Sequence, residues 1–180
     1  MDTIIIDGLS FALPLFIIAI GGIYSEKSGI TNLALEGLQG FGAFVGALAV
    51  VLISKFANVE VQSLFYVALL FSIVGGMVYS MLHALLCIKF KANQVISGVV
   101  INILATALTV FLTTQVNSMV FGAVSDKFIL GVSSRFTIPG LSSIPVIGAM
   151  FKDIYPFEIV IIVIACIAWY VLYKTKYGLR

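Results

Sequence analysis

Residues 32–53 read Asn-Leu-Ala-Leu-Glu-Gly-Leu-Gln-Gly-Phe-Gly-Ala-Phe-Val-Gly-Ala-Leu-Ala-Val-Val-Leu-Ile, an apolar run broken by one carboxylate, Glu36. The run is long enough to cross a bilayer. Backbone polar groups in lipid must be satisfied within the chain, so the run is confined to a helix among helices. An acid buried there costs several kcal/mol unless paired or hydrated, which makes Glu36 a functional-site candidate.

Four more apolar stretches share the chain with it. They cover about residues 10–24 (starting as early as Ile4, with Asp7 near the beginning), 63–88, 95–115 and 157–173, beside 32–54 for the run itself. A span needs about 20 residues to cross roughly 30 Å of hydrocarbon. The expected fold is therefore all-α, a polytopic integral membrane bundle of about five transmembrane helices. Composition agrees: 61% of residues are hydrophobic, 10% are charged and the mean hydropathy is +1.18. Soluble domains carry about 25% charge, so lipid must cover most of this surface. A formal net charge of +2 gives no case for a nucleic-acid polymer as partner. Cys87 and Cys166 fall inside apolar runs and read as small packing residues. The N-terminus lacks the basic region of a cleavable signal peptide and carries Asp2 and Asp7 instead, so the first segment is expected to stay.

Five spans put the termini on opposite sides. One side holds Lys27, Lys89, Lys91, Lys174, Lys176 and Arg180 in short loops and the tail. The other holds Lys55, Lys127, Arg135 and Lys152, mostly in one long loop. The positive-inside rule places the N-terminus outside and the C-terminus in the cytoplasm. The loop over 116–156 is then external. Its apolar middle, 136–151, is expected to lie along the interface or fold back over the helices, with Pro139, Pro145 and Pro156 interrupting regular helix. Residues 1–180 read as one transmembrane domain without an internal repeat.

Glycine and polar positions refine the bundle. Gly42 and Gly46, extended backward by Gly37, let another backbone approach closely, and Gly75 with Gly76 do the same for the third segment. The second segment is thus expected to be central and protein-covered. Asn32, Asn93, Ser97 and Asn102 are polar positions at the edges or inside apolar segments. Each is a candidate either to line a path or to join helices. On a helix, Asn32 and Glu36 share a face one turn apart. His83 and Cys87 have a four-residue spacing, but no third donor stands near, and core packing is the expected role. The chain contains no phosphate-binding Gly-x-x-x-x-Gly-Lys-Ser/Thr, no His-Glu-x-x-His and no nucleophile elbow, and no intramembrane pair of acids is expected. Catalysis needs at least two convergent reactive groups, so no enzyme activity, catalytic residue, metal or cofactor is expected.

The run Gly21-Gly-Ile-Tyr-Ser-Glu-Lys-Ser-Gly-Ile-Thr-Asn-Leu-Ala-Leu-Glu-Gly37 resembles a signature of ABC importer permeases of the branched-chain amino acid, ribose and nucleoside superfamily, nearest the nucleoside or simple-sugar subgroup. Residues 92–105 resemble that family's next motif, although members more often carry an acid where Gln94 stands. Residues 138–148 resemble its external loop, and 173–180 the cytoplasmic start of its next element. The resemblance implies an alternating-access path for a nucleoside or sugar-like solute in the cell membrane. It also implies partners: a second permease subunit, cytoplasmic ATPase subunits and an external, often lipid-anchored, solute-binding protein. Family permeases continue past the Gly-Leu-Arg at 178–180 into a coupling helix and further spans. The chain accordingly reads as the N-terminal part of a permease: a fragment, a frameshift truncation or half of a split gene product. Two other readings stand beside this one, an ion- or proton-coupled carrier or channel with Glu36 titrating, and an inert permease fragment.

Overall fold

A computed structural model describes residues 2–128, 130, 135–144, 147–176 and 178, without the side chains of Asp2, Thr3, Gln62 and Ile147. Five helices carry it: α1 (Asp2–Lys27), α2 (Leu35–Ala57), α3 (Phe65–Ala84), α4 (Gln94–Phe121) and α5 (Pro156–Lys174). All five are long and apolar enough to cross a membrane, α3 running on through a π turn at Leu85–Lys89. Among the described residues, β-type pairing is limited to an isolated bridge between Phe136 and Ile154. The fold is that of a multi-pass helical membrane protein.

Helix boundaries depart from the hydropathy reading where polar side chains intervene. α1 begins at Asp2 and runs through Pro14, so it is longer than its apolar stretch. α4 continues past Gln115 to Phe121 and stops at Gly122, whose φ of +67° suits a residue without a Cβ. The connecting segment therefore starts at Gly122, six residues later than Val116. α2 begins at Leu35, with Asn32 in the segment before it. Pro156 opens α5, where its missing N–H costs nothing. Pro145 and Arg180 lie outside the described residues.

The chain divides into two compact units, residues 30–132 and residues 1–29 with 133–180. In the first, α2 packs against both α3 and α4. A Cβ on Gly42 would stand 2.8 Å from the Ser72 carbonyl, and one on Gly46 would stand 2.6 Å from the Ala68 carbonyl. These glycines let α2 and α3 touch backbone to backbone. Gly75 answers from α3 by making room for the Val45 side chain. Gly37 instead faces α4, with Asn102 Cα only 2.8 Å from where its Cβ would be. The five-residue step from Gly37 to Gly42 rotates by about 140° around a helix, which is why one set of glycines serves two neighbours. Ala34, Tyr79, Ile101 and Ala105 form the buried centre. Phe41 stacks on Tyr79 at 4.3 Å, and the Tyr79 hydroxyl donates to the Ile101 carbonyl at 3.0 Å.

The second unit joins α1 to α5. The Tyr24 hydroxyl donates to the Ala168 carbonyl at 2.6 Å, and Ser10 Oγ donates to Glu158 Oε1 at 3.0 Å. The segment before α5 folds back on itself. Phe136 and Ile154 exchange backbone hydrogen bonds of 3.0 and 2.9 Å, and Ile138 N–H reaches the Phe151 carbonyl at 3.0 Å. Large side chains such as Phe11, Leu15, Met81, Ile103 and Ile167 stay exposed on the helices, a surface that hydrocarbon or other apolar protein must cover. Cys166 is exposed with them on α5, so it does not pack within its unit.

Candidate functional site

The polar residues singled out from sequence converge at one end of the first unit, where α2 starts, α3 ends and α4 starts. Asn93 caps α4, its Oδ1 accepting from Val95 N–H at 2.9 Å and Ile96 N–H at 3.2 Å. Asn32 does similar work for the turn before α2, accepting from Ala34 N–H at 2.9 Å. Because that bond holds Asn32 outside the helix, it shares no helical face with Glu36. Asn102 spends both ends of its amide. Its Oδ1 accepts from Gly37 N–H at 2.7 Å, and its Nδ2 donates to the Leu33 carbonyl at 2.7 Å. Gln94 ties the approaching loop down by accepting from Thr31 N–H at 2.7 Å.

Ser97 is 4% exposed and pairs with the equally buried His83, Oγ to Nδ1 at 3.0 Å. Cys87 Sγ lies 3.7 Å from His83 Nε2, a loose contact within one helical stretch. Among the described residues no group of three or more His, Cys, Asp or Glu is placed to hold a metal ion.

Glu36 differs from these residues. It sits in the first turn of α2, where the helix dipole favours negative charge, and its side chain is exposed within the chain. The lone acid of the apolar run thus stands at the start of its helix and is not buried within the chain. Glu36 lines a cleft of about 520 Å³ with Gly37, Gly40, Asn102, Ile103, Ala105, Thr106, Ala107 and Thr109. Thr106 and Thr109 escape sequence reasoning because threonine is commonplace in membrane helices. Their spacing from Asn102, four and seven residues, is the signal that puts all three on one face.

A buried acid also escapes that reasoning. Glu158, 4% exposed, stands in the first turn of α5. It accepts from Ser10 Oγ and, at 3.4 Å, from Tyr155 N–H, closing a capping box around Pro156. Proline followed two residues later by glutamate at the head of an apolar run is the sequence signature that reveals it.

The far end of the first unit holds a second polar knot. Buried Asn117 donates through Nδ2 to the carbonyls of Ser125 at 2.8 Å and Lys127 at 2.9 Å. These bonds turn the chain back after Gly122 and bring the ring of Phe128 onto Phe44, 6.1 Å between centroids.

Known proteins share this sequence pattern. Residues 4–180 match the family described as the branched-chain amino acid transport system permease component. The chain is 38% identical over 174 residues to the guanosine ABC transporter permease protein NupQ of Bacillus subtilis, covering 96% of this chain and 52% of that protein. It is 35% identical over 187 residues to the nucleoside ABC transporter permease protein NupC of Lactococcus lactis, covering 100% of this chain and 55% of that one. A putative glucose ABC transporter permease protein, TsgC13 of Haloferax volcanii, is 29% identical over 171 residues, with 94% and 47% covered. No solved structure matches. The chain spans about half the length of these relatives. It belongs to the branched-chain amino acid transport system permease family of ABC transporters, as a multi-pass protein of the cell membrane.

Proposed function

We propose that the chain is part of the permease of an ATP-binding-cassette importer that moves a nucleoside or a related sugar-like solute by alternating access. The observation that carries this reading is its match to two nucleoside permeases at 35% and 38% identity over nearly the whole chain. Its partners on this reading are a second permease subunit, cytoplasmic ATPase subunits and an external solute-binding protein. The chain itself performs no chemistry.

The N-terminus lies outside, α2 begins at the cytoplasmic face and the segment between α4 and α5 is external. Lys27 in the last turn of α1, with Lys89 and Lys91 between α3 and α4, supports that topology. Glu36 stands on the solute path. Asn32, Asn93, Ser97 and Asn102 hold the helices that shape it, the three asparagines by accepting backbone N–H groups through Oδ1 and Ser97 by pairing with His83. Gly42 and Gly46 set the α2–α3 distance. Uptake of radiolabelled guanosine by cells lacking and regaining the complete permease gene tests the reading. Uptake should return only with an intact ATPase partner. Uptake driven by an ion gradient without the ATPase would favour a coupled carrier instead.

A further inference from the structure

We infer that the ends of α1 and α5 carrying Lys27 and Lys174 form a docking surface for an anionic phospholipid. Its phosphate is held by Lys27, Lys174 and Lys176, and an acyl chain lies along one face of α5. This goes beyond the transport reading, since it rests on the membrane-spanning fold and is indifferent to the solute.

Helices α1 and α5 run parallel within their unit, because Ser10 meets Glu158 near their starts and Tyr24 meets Ala168 near their ends. Their charges are sorted along that direction. Asp7 and Glu158 stand toward one end, and Lys27 and Lys174 occupy the last turns at the other. At the basic end the side chains form a ladder across the two helices. Lys27 Nζ lies 5.2 Å from the centre of the Tyr173 ring, Tyr173 lies 6.4 Å from the Trp169 ring, and Lys174 Nζ lies 5.9 Å from Trp169. Each helix thus brings one lysine to the same pair of rings. Lys176, exposed just beyond α5, adds a third cation.

These cations lack counter-charges among the described residues. No carboxylate, that of the neighbouring Glu26 included, stands within ion-pair distance of the three lysines. Their ammonium protons are left for an outside acceptor. An exposed stripe leads away from them along α5: Ile162, Cys166, Trp169 and Tyr173, spaced four, three and four residues, share one helical face. Tryptophan and tyrosine favour the height at which headgroup meets hydrocarbon, and clustered lysines there attract anionic lipid. A zwitterionic lipid offers the same phosphate, but its own ammonium competes with the lysines, so the surface selects for net negative charge.

Trp169 is the sole tryptophan of residues 1–180, so its fluorescence reads the lipid at this surface. The full chain is reconstituted in phosphatidylcholine vesicles, with phosphatidylglycerol or phosphatidylcholine brominated in the acyl chains added as quencher. Brominated phosphatidylglycerol should quench Trp169 at a mole fraction about fivefold lower than brominated phosphatidylcholine, the worth of roughly one engaged lysine. Salt at about 0.5 M should shrink that preference in the unaltered chain, a reading that needs no folded variant. Lys27→Gln, Lys174→Gln and Lys176→Gln together should abolish the preference. The corresponding triple change to arginine should keep it, which separates lost charge from lost folding. Lys89→Gln with Lys91→Gln should leave it intact, whereas a general attraction to basic membrane faces would weaken it. Lysines that served only to complement the helix C-termini would give a glutamine variant with lower melting temperature and an unchanged quenching ratio. That unchanged ratio would overturn the inference. So would equal quenching by the two lipids in the unaltered chain, a preference untouched by salt, or an equal loss in the Lys89 and Lys91 variant.

Discussion

Asn102 and Gly37 meet across two helices: the amide oxygen of one accepts the backbone N–H of the other at 2.7 Å, while the same amide donates to Leu33 at 2.7 Å. One side chain thus satisfies an orphan N–H in the first turn of α2 and a carbonyl in the turn before it. It also fixes where α2 starts, and hence where Glu36 stands.

Replacing Asn102 with leucine leaves both backbone groups without these partners in an apolar setting. The expected loss is about 1–3 kcal/mol, the usual cost of stranding buried polar groups. A clear fall in melting temperature of the detergent-solubilised protein would register it. Unchanged melting would show that water replaces the amide.

Glycines in α2 should divide by position. Gly46→Ala drives a methyl into the Ala68 carbonyl and the Ser72 side chain, and Gly42→Ala drives one into the Ser72 carbonyl. Each should cost about 1–3 kcal/mol through forced separation of α2 and α3. Gly40→Ala has open space around it and should be neutral or slightly stabilising in a helix. Proteolytic sensitivity of the three variants, compared side by side, checks the order.

The two acids should separate function from stability. Glu158→Ala removes the partner of Ser10 and of Tyr155 N–H, at a cost of about 1 kcal/mol for a lost cap and more for the hydroxyl left behind. Glu36→Ala, on an exposed side chain, should change stability by no more than about 0.5 kcal/mol yet lower uptake. Thermal melts and transport assays on both variants decide the matter; the reverse ranking would contradict it.

Much of this architecture is readable from the sequence because membrane spans are local. Length and hydropathy over 35–57 or 156–174 need no knowledge of the rest of the chain. Helix starts are less local. Apolar neighbours suggest a helical Asn32, but its carboxamide bonds Ala34, and Asn102, far along the chain, completes the turn. The glycine pattern shows that close approach occurs. The rotation between Gly37 and Gly42, a consequence of 3.6 residues per turn, assigns them to different helices. Glu36 stands out in the sequence, yet its exposure depends on packing that leaves a cleft. The burial of Glu158 depends in turn on Ser10 of another helix. An acid inside an apolar run singles out Glu36 and passes over Glu158, which stands at the head of one.

The central claim, that the α2–α4 cleft lies on an ATP-driven path, can be tested by thiol labelling at its wall. Cys87 and Cys166 are first replaced by serine and alanine, since Cys166 is exposed. Glu36→Cys and Thr109→Cys are then introduced singly into the complete importer in oriented vesicles. A membrane-impermeant maleimide should label both from the cytoplasmic side, at rates that shift by about tenfold when the ATPase is trapped with nucleotide and vanadate, the signature of a two-state change in access. Labelling that stays constant through the ATPase cycle, or that reaches neither position from either side, would contradict the account.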